Sequence, residues 1–464
     1  MKRGAELELT IERFADRGTA VGTHEGQEIL VPFAVPGDRV RIRLLGRRKR
    51  KTHGQLLSVL EPSPLRVDPR CRYFGSCGGC TWQNLLYTAQ LDAKRQSVED
   101  AFSEHGLLTG AQVAPALGSE EIYYYRNKME FSFGARRWLT DWEVQSGREF
   151  DRDFALGMHM PGYYDRLLDL EECFLQSELT TRLLGGVREF AGREGFSAWD
   201  LRQREGYLRH LVLRTPRHTE EVLLNLVTST DDPERLSVFG RYLKDHFPEV
   251  TTLLNTVNSG VAQVATGELV RVIFGTGKVH DRIGPYTFEI GPHSFFQTNT
   301  RQAERLYEVA LRFAEPGPED LVYDLYSGLG AISLYFSASA RRVVGLELDR
   351  SAVEAAERSA GFNGVSNVTF ACGDLAGCLN TDFSRKYGAP DIIVLDPPRA
   401  GLHPQTLRGL LELKAPKIVY VSCNPATQAR DLAGLVGAYE LLRIQPVDLF
   451  PHTSHVENVV LLAR

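Results

Sequence analysis

Nowhere in its 464 residues does the chain carry an apolar run long enough to cross a bilayer. Its start, Met1-Lys2-Arg3-Gly4-Ala5-Glu6, lacks the apolar core of a secretory signal, so a cytoplasmic protein without a membrane partner is expected. Charge of one sign is also lacking, with 54 Lys and Arg against 59 Asp and Glu. Cysteine is scarce: the seven present are odd in number and clustered. In a reducing compartment that excludes a disulfide framework and leaves metal ligation or catalysis. The full dinucleotide fingerprint G-x-G-x-x-G is missing too. The chain is too long for one core, and roughly 100–200 residues per domain predicts two to four domains.

From Leu7 to Val59, short alternating runs separated by Gly18, Gly22, Gly26 and Gly37 predict a small OB-like β-barrel. Arg39, Arg41, Arg43, Arg47, Arg48, Lys49, Arg50 and Lys51 crowd one strand and its continuation. The expectation is a basic edge that tracks phosphates, in preference to a solvated loop. Glu61-Pro62-Ser63-Pro64 reads as a linker.

Cys71, Cys77 and Cys80 follow in a C-x5-C-x2-C array whose glycines let the backbone fold around a bound centre. A fourth ligand is required, and Cys173 in Glu171-Glu172-Cys173 is the candidate. Spacing does not choose zinc over iron–sulfur. Cys372 and Cys378 read as incidental thiols of a later domain. Thr81 to His105 has helical periodicity. Tyr123 to Phe133, Leu208 to Arg214 and Glu221 to Val227 read as strands. There Arg126, Lys128, Arg209 and Arg214, interleaved with aromatics, suit either RNA contact or an ordinary sheet.

The last third predicts a doubly wound α/β domain. Leu321-Val322-Tyr323-Asp324-Leu325 is a strand, Tyr326-Ser327-Gly328-Leu329-Gly330-Ala331 a glycine turn opening a helix, and Val343 to Glu347 a strand tipped by an acid placed for ribose hydroxyls. Gly373-Asp374 follows a third strand, and Asp396-Pro397-Pro398 ends the next. That order suits S-adenosylmethionine better than a dinucleotide. Ile418 to Ser422 then stops on Cys423, with Asn424-Pro425-Ala426-Thr427 opening a helix. A thiol at a strand end facing a helix N-terminus is a nucleophile's address, and its pKa is expected to be lowered.

These residues resemble the TrmA/RumA-like family of RNA uracil-C5 methyltransferases over nearly the whole chain. The resemblance rests on the TRAM-like barrel, the cysteine array with its distant Glu-Glu-Cys, Ser294-Phe295-Phe296-Gln297, the glycine turn, Leu395 to Gly401, Ser422 to Thr427 and His455-Val456-Glu457-Asn458-Val459. It implies that Cys71, Cys77, Cys80 and Cys173 hold a [4Fe–4S] cluster. It also implies that Gln297, Tyr326, Glu347 and Asp396, with Asp374 beside them, bind S-adenosylmethionine, that Cys423 is the nucleophile and that Glu457 accepts the proton. Where the family often has Cys and Asn or Thr around its glycine turn, this chain has Ser327 and Ala331, which leaves the turn its backbone role.

The expected organisation is a TRAM barrel over 1–62, a central α+β iron–sulfur and RNA-binding domain over 63–285, and a Rossmann-like class I methyltransferase domain over 286–464. The helix near 81–110 is expected against the catalytic domain. The expected reaction is methylation of uridine C5 by a monomer, through a covalent Cys–C6 adduct, on 23S rRNA; tRNA is the alternative substrate. Uracil C5 becomes nucleophilic only after a soft thiolate adds at C6, and a carboxylate with a raised pKa suits removal of the C5 proton. A DNA cytosine methyltransferase would carry its cysteine after a proline on the strand ending at Asp396. An amino-methylating enzyme would carry an aromatic where Arg399 stands. A non-catalytic iron–sulfur RNA-binding or ribosome-assembly factor would need neither Cys423 nor Glu457.

Overall fold

The computed structural model describes residues 2–15, 18–48 and 51–464. Five strands, Glu6–Phe14, Ala20–His24, Gln27–Val31, Arg39–Arg48 and Lys51–Glu61, close into a barrel in which the fifth lies between the third and fourth. Alternation explains it: Leu9, Ile11, Ile29, Val31, Val40, Ile42 and Leu44 fill the inside. On the outer face, three cations of the expected basic edge are matched by acids. Arg41 and Arg43 face Glu8 and Glu6 across the strand pair, and Arg39, Arg41 and Arg43 are ion-paired with Glu8, Glu61 and Glu6 at 2.7–3.2 Å. Exposed pairs of this kind contribute roughly 0–1 kcal/mol each. Lys49 and Arg50 lie outside the described residues.

The middle of the chain forms an eight-stranded sheet that runs spatially from the edge strand Leu269–Phe274 through Thr252–Val257, Leu223–Thr228, Leu208–Arg214 and Lys128–Gly134 to three short strands ending at Arg137–Trp138. Helices Glu178–Arg193 and Pro233–His246 bury Leu183, Val187, Phe190, Leu236 and Phe239 in its core. The strand predicted from Tyr123 begins only at Lys128. Tyr124 has φ of 56°, and its neighbours are committed elsewhere: Tyr123 packs on His452 at 4.4 Å and the Tyr125 hydroxyl donates to the Pro451 carbonyl.

The final sheet has seven strands in the spatial order Val368–Cys372, Arg342–Glu347, Leu321–Leu325, Ile392–Leu395, Lys417–Ser422, Glu457–Ala463, Glu440–Val447. The first five are parallel and Glu457–Ala463 runs antiparallel to its neighbours. Valine and isoleucine runs buried on both faces are what such strands require. The predicted helix over Thr81 to His105 is observed at Tyr87–Ser103. Its buried face, Gln90, Lys94, Val98 and Phe102, has four-residue spacing. Val98 and Phe102 join the core of the seven-stranded sheet, and Lys94 meets Asp448 at 2.5 Å with both side chains fully buried. Among the described residues no helix is long and apolar enough to cross a membrane.

Candidate active site

Parallel strands leave their carbonyl ends and the following turns on one edge, where α/β sheets bind ligands. Here that edge opens into a cleft of about 1500 Å³. Gln297, Tyr326, Glu347, Asp374, Asp396, Cys423 and Glu457 all line it. Residues separated by up to 160 positions are thus brought to one cavity by strand order alone.

At the first tip, Tyr326, Gly328 and Gly330 all have positive φ, of 65°, 52° and 77°. A side chain at Gly330 would come within 2.6 Å of the Phe370 ring, so only glycine lets the turn close. Glu347 pins this turn from the next strand: one carboxylate oxygen accepts the Gly328 N–H at 2.9 Å, and the other accepts those of Leu348 and Asp349 at 2.8 and 3.0 Å. Asp374 caps the following short helix through the Ala376 N–H.

The Asp396 and Cys423 turns are stitched together. The Asn424 amide and the Thr427 hydroxyl both donate to the Arg399 carbonyl, at 3.1 and 3.2 Å. Asn424 also caps the helix Pro425–Ala433 through the Ala426 N–H. Glu457 arrives on the antiparallel strand, where Asn458 lies opposite Ser422. Asn458 is buried and donates to Gln428 at 2.8 Å, which fixes the start of that strand.

The electrostatics depart from expectation at Cys423. Burial, then the charges of Glu457 and Asp396, push its thiol up to about 11, while Arg399 pulls it down by charge and hydrogen bonding. The expected lowering fails because burial disfavours the thiolate and two acids oppose it, while the helix behind is already capped by Asn424 and its first residue, Pro425, has no N–H. Glu457, 4 % exposed, is raised well above the ordinary carboxylate range by burial and then by Asp396. Burial raises Asp396 to about 7.

Two residues of the cleft region escaped sequence reasoning. Tyr307, on the buried face of the helix Thr300–Ala314, lines the cleft. Burial and then Asp396, Asp324 and Glu457 raise its hydroxyl, which Gln297 also reaches. Asp324, fully buried, is raised to about 7 by burial and accepts the Ser333 hydroxyl at 2.5 Å. One is an aromatic at core spacing and the other an acid inside an apolar strand, so no motif marked either.

Cys71, Cys77, Cys80 and Cys173 lie apart from the cleft wall, although Gly79 and Arg126 beside them line it. The expectation of a metal centre is not met at ligand spacing: among the described residues, no group of three or more His, Cys, Asp or Glu is drawn close enough to hold an ion. The four cysteines nevertheless share one neighbourhood. Burial raises Cys77 and Cys80 to about 12, and neighbouring cysteines add to each shift. Gln83 ties the ends of the array together, accepting the Cys71 N–H at 3.1 Å and donating to the Cys80 sulfur at 3.3 Å.

Residues 271–464 match the family described as tRNA (Uracil-5-)-methyltransferase, and residues 7–65 match the TRAM domain of tRNA (uracil(54)-C(5))-methyltransferase. An uncharacterized RNA methyltransferase of Bacteroides thetaiotaomicron is 40% identical over 97% of this chain and 99% of its own length. One from Chlorobaculum tepidum is 41% identical over 100% and 97%. Among solved structures, the Pyrococcus abyssi tRNA (uracil-54, C5)-methyltransferase in complex with S-adenosyl-L-homocysteine superposes with a TM-score of 0.76 at 29% identity, covering 98% of this chain and 100% of that one.

Proposed function

The chain belongs to the S-adenosylmethionine-dependent RNA uracil-5 methyltransferases, and from that premise we propose that Cys423 and Glu457 carry the reaction through a covalent adduct with the target uridine. The observation that carries this reading is their shared cleft: a thiol at the end of one strand and a buried carboxyl on the next, with the carboxyl opposing the thiol's ionisation. Such a pair holds one negative charge more readily than two.

That coupling sets an order. With Glu457 protonated, the Cys423 thiolate, supported by Arg399, adds to uracil C6 and makes C5 nucleophilic. Bonded to carbon, the sulfur is neutral, so its opposition to a Glu457 carboxylate ends. Bound S-adenosylmethionine supplies an electrophilic methyl group for C5. The Glu457 proton then passes to solvent in the open cleft, the resulting carboxylate takes the C5 proton, the C5–C6 double bond re-forms, and the thiolate leaves. A carboxyl held well above its usual pKa is the stronger base for that step.

Gln297, Tyr326, Glu347, Asp374 and Asp396 are the proposed cofactor residues. Their fit rests on the left-handed glycine turn, which brings backbone close to a ligand, and on acids at successive strand tips, where ribose hydroxyls are accepted. Cys71, Cys77, Cys80 and Cys173 are proposed to hold a [4Fe–4S] cluster. Their fit rests on four free, partly buried thiols in one neighbourhood, tied by Gln83, with the Arg126 charge favouring the thiolate at Cys80 and Cys173. Its role would be structural. The proposed domain limits are 1–62, 63–285 and 286–464.

The proposed substrate is 23S rRNA, supported by the resemblance of chains that combine the barrel with a four-cysteine centre. A second reading, tRNA, is favoured by the Pyrococcus abyssi likeness over nearly the whole chain. Transcribed 23S rRNA and tRNA, each incubated with labelled S-adenosylmethionine and resolved on denaturing gels, test both levels. Cys423→Ala is expected to give no product and no adduct. Glu457→Gln is expected to leave protein joined to methylated RNA after denaturation, because elimination alone is blocked. Normal turnover by Glu457→Gln would remove it as the proton acceptor.

A further inference from the structure

Lys128 and Arg214 stand directly opposite one another on neighbouring antiparallel strands, a placement that sets like charges together at a cost in stability. Arg214 is 3 % exposed, and its guanidinium donates to the carbonyls of Pro292, at 3.4 Å, and Ser294. Those two carbonyls bracket His293, so the buried arginine fixes the segment that places the imidazole in the cleft wall. Arg126 lines the same lip and donates to the Lys128 carbonyl at 3.2 Å.

Acidic matching is thin here. Among the described residues, the ion pair in this group is Lys128 with Glu130 at 4.0 Å, and the Glu130 side chain is 40% exposed. The groups oppose each other's charge accordingly. Burial, then Arg214, lowers Lys128 below the ordinary lysine range, with Arg126 also opposing it and Glu130 alone supporting it. His293 is lowered by burial, then by Lys128 and Arg214. Arg126 and His293 line the cleft and Lys128, two residues on from Arg126, is partly desolvated beside them, with Glu130 as its acidic support; cations gathered so are placed to meet an anion.

We infer that Lys128, Arg126 and His293 form a subsite for a backbone phosphate of the RNA strand beside the uridine presented to Cys423. The inference rests on the reading of RNA as substrate given above. A base drawn into a cleft drags its flanking phosphates to the rim, and cations already held there meet them. Arg214 holds the His293 segment in place and does not touch the strand. The other source of an anion in this cleft is the carboxylate of the methyl donor, and the two make different predictions.

The test uses the full chain, with Lys128→Gln, Lys128→Arg and Arg126→Gln compared for binding to an oligouridylate across a salt series. S-adenosylhomocysteine binding is measured in parallel by calorimetry. Lys128→Gln is expected to weaken RNA binding at low salt by about three- to tenfold and to reduce the slope of log K against log salt by about 0.7–0.9, the loss of one phosphate contact. Lys128→Arg keeps both, and S-adenosylhomocysteine affinity is unchanged throughout. If Lys128→Gln does not fold, as judged by its melting curve, Arg126→Gln carries the same expectation. An unchanged salt slope overturns the subsite. So does weakened S-adenosylhomocysteine binding with the RNA slope intact, which would assign the cations to the donor's carboxylate. Failure of the proposed reaction shows instead in the product, as absence of 5-methyluridine, and leaves the salt slope of the variants untouched.

Discussion

Arg399 supports a negative sulfur at Cys423, against burial and two acids. With the thiol at about 11, only a small fraction is thiolate near neutrality, so adduct formation should rise with pH and reach no plateau below pH ~9. Arg399→Gln should raise the thiol further and slow adduct formation roughly tenfold, about one pKa unit's worth. Single-turnover rates at saturating RNA across that pH range measure it; equal rates at every pH would remove Arg399 from the role. Asp324 gives a stability counterpart. Its folded pKa is raised, from 3.8 to about 7, so the stability it contributes is fully present below pH ~4 and is lost as pH rises through 7. Asp324→Asn can still accept the Ser333 hydroxyl and escapes that loss. It should gain on the order of 2–4 kcal/mol relative to wild type between pH 4 and pH 8, read from denaturant unfolding at the two values; a constant difference would show that Asp324 is ionised throughout. Cys423 was legible because a polar Ser-Cys-Asn-Pro ending on an apolar strand marks a tip. Its pKa was not, since the opposing acids come from strands distant in sequence.

The helix Tyr87–Ser103 shows what periodicity reveals and what it hides. Val98 and Phe102 obey the apolar rule, and each contributes roughly 1.5–3 kcal/mol by burial. Gln90 and Lys94 occupy the same buried face, against the rule, because the loop between Val447 and Glu457 carries polar groups that need partners. Asp448 accepts from Lys94 at 2.5 Å, from the Tyr87 hydroxyl at 2.8 Å and from the Phe450 N–H at 3.0 Å. Gln90 receives the His452 N–H at 2.8 Å and donates to two carbonyls of the Trp82–Leu85 turn. Lys94→Met would strand the Asp448 charge in the core and should cost about 3–5 kcal/mol. Adding Asp448→Asn should recover much of that loss, which thermal melts of the two variants check. A single mutant as stable as wild type would show that the buried pair adds nothing to stability. The late start of the strand at Lys128 has the same origin. Tyr123 and Tyr125 serve this loop in place of a ladder, and a run of three tyrosines gives no sign of it.

At the scale of the molecule, the cleft is assembled by chain segments that share no continuous stretch of sequence. The strand ends of the seven-stranded sheet supply Glu347, Asp374, Asp396, Cys423 and Glu457, the segment leading into the central sheet supplies Arg126, and the cysteine array supplies Gly79. The array also holds the loop leading to Glu457: the N–H groups of Thr81 and Trp82, directly after Cys80, donate to the His452 carbonyl at 2.9 and 3.0 Å. A cluster bound by Cys71, Cys77, Cys80 and Cys173 would therefore set the position of Phe450, Thr453 and His455 in the cleft wall without touching the donor site. Cys173→Ser separates these functions. The wild-type protein purified without oxygen should be brown and contain iron and sulfide, and Cys173→Ser should lose both. S-adenosylhomocysteine affinity should survive in Cys173→Ser, because Tyr326, Glu347, Asp374 and Asp396 all stand at strand ends of the seven-stranded sheet, whereas Glu347→Ala should lose it. Uridine methylation by Cys173→Ser should fall with its iron content as the loop after Asp448 loosens, measurable as faster amide exchange at His452 to Val456. Colourless wild-type protein with stoichiometric zinc would replace the iron–sulfur assignment. Donor affinity lost to the same extent in Cys173→Ser and Glu347→Ala would show that the array and the donor site are one structural unit.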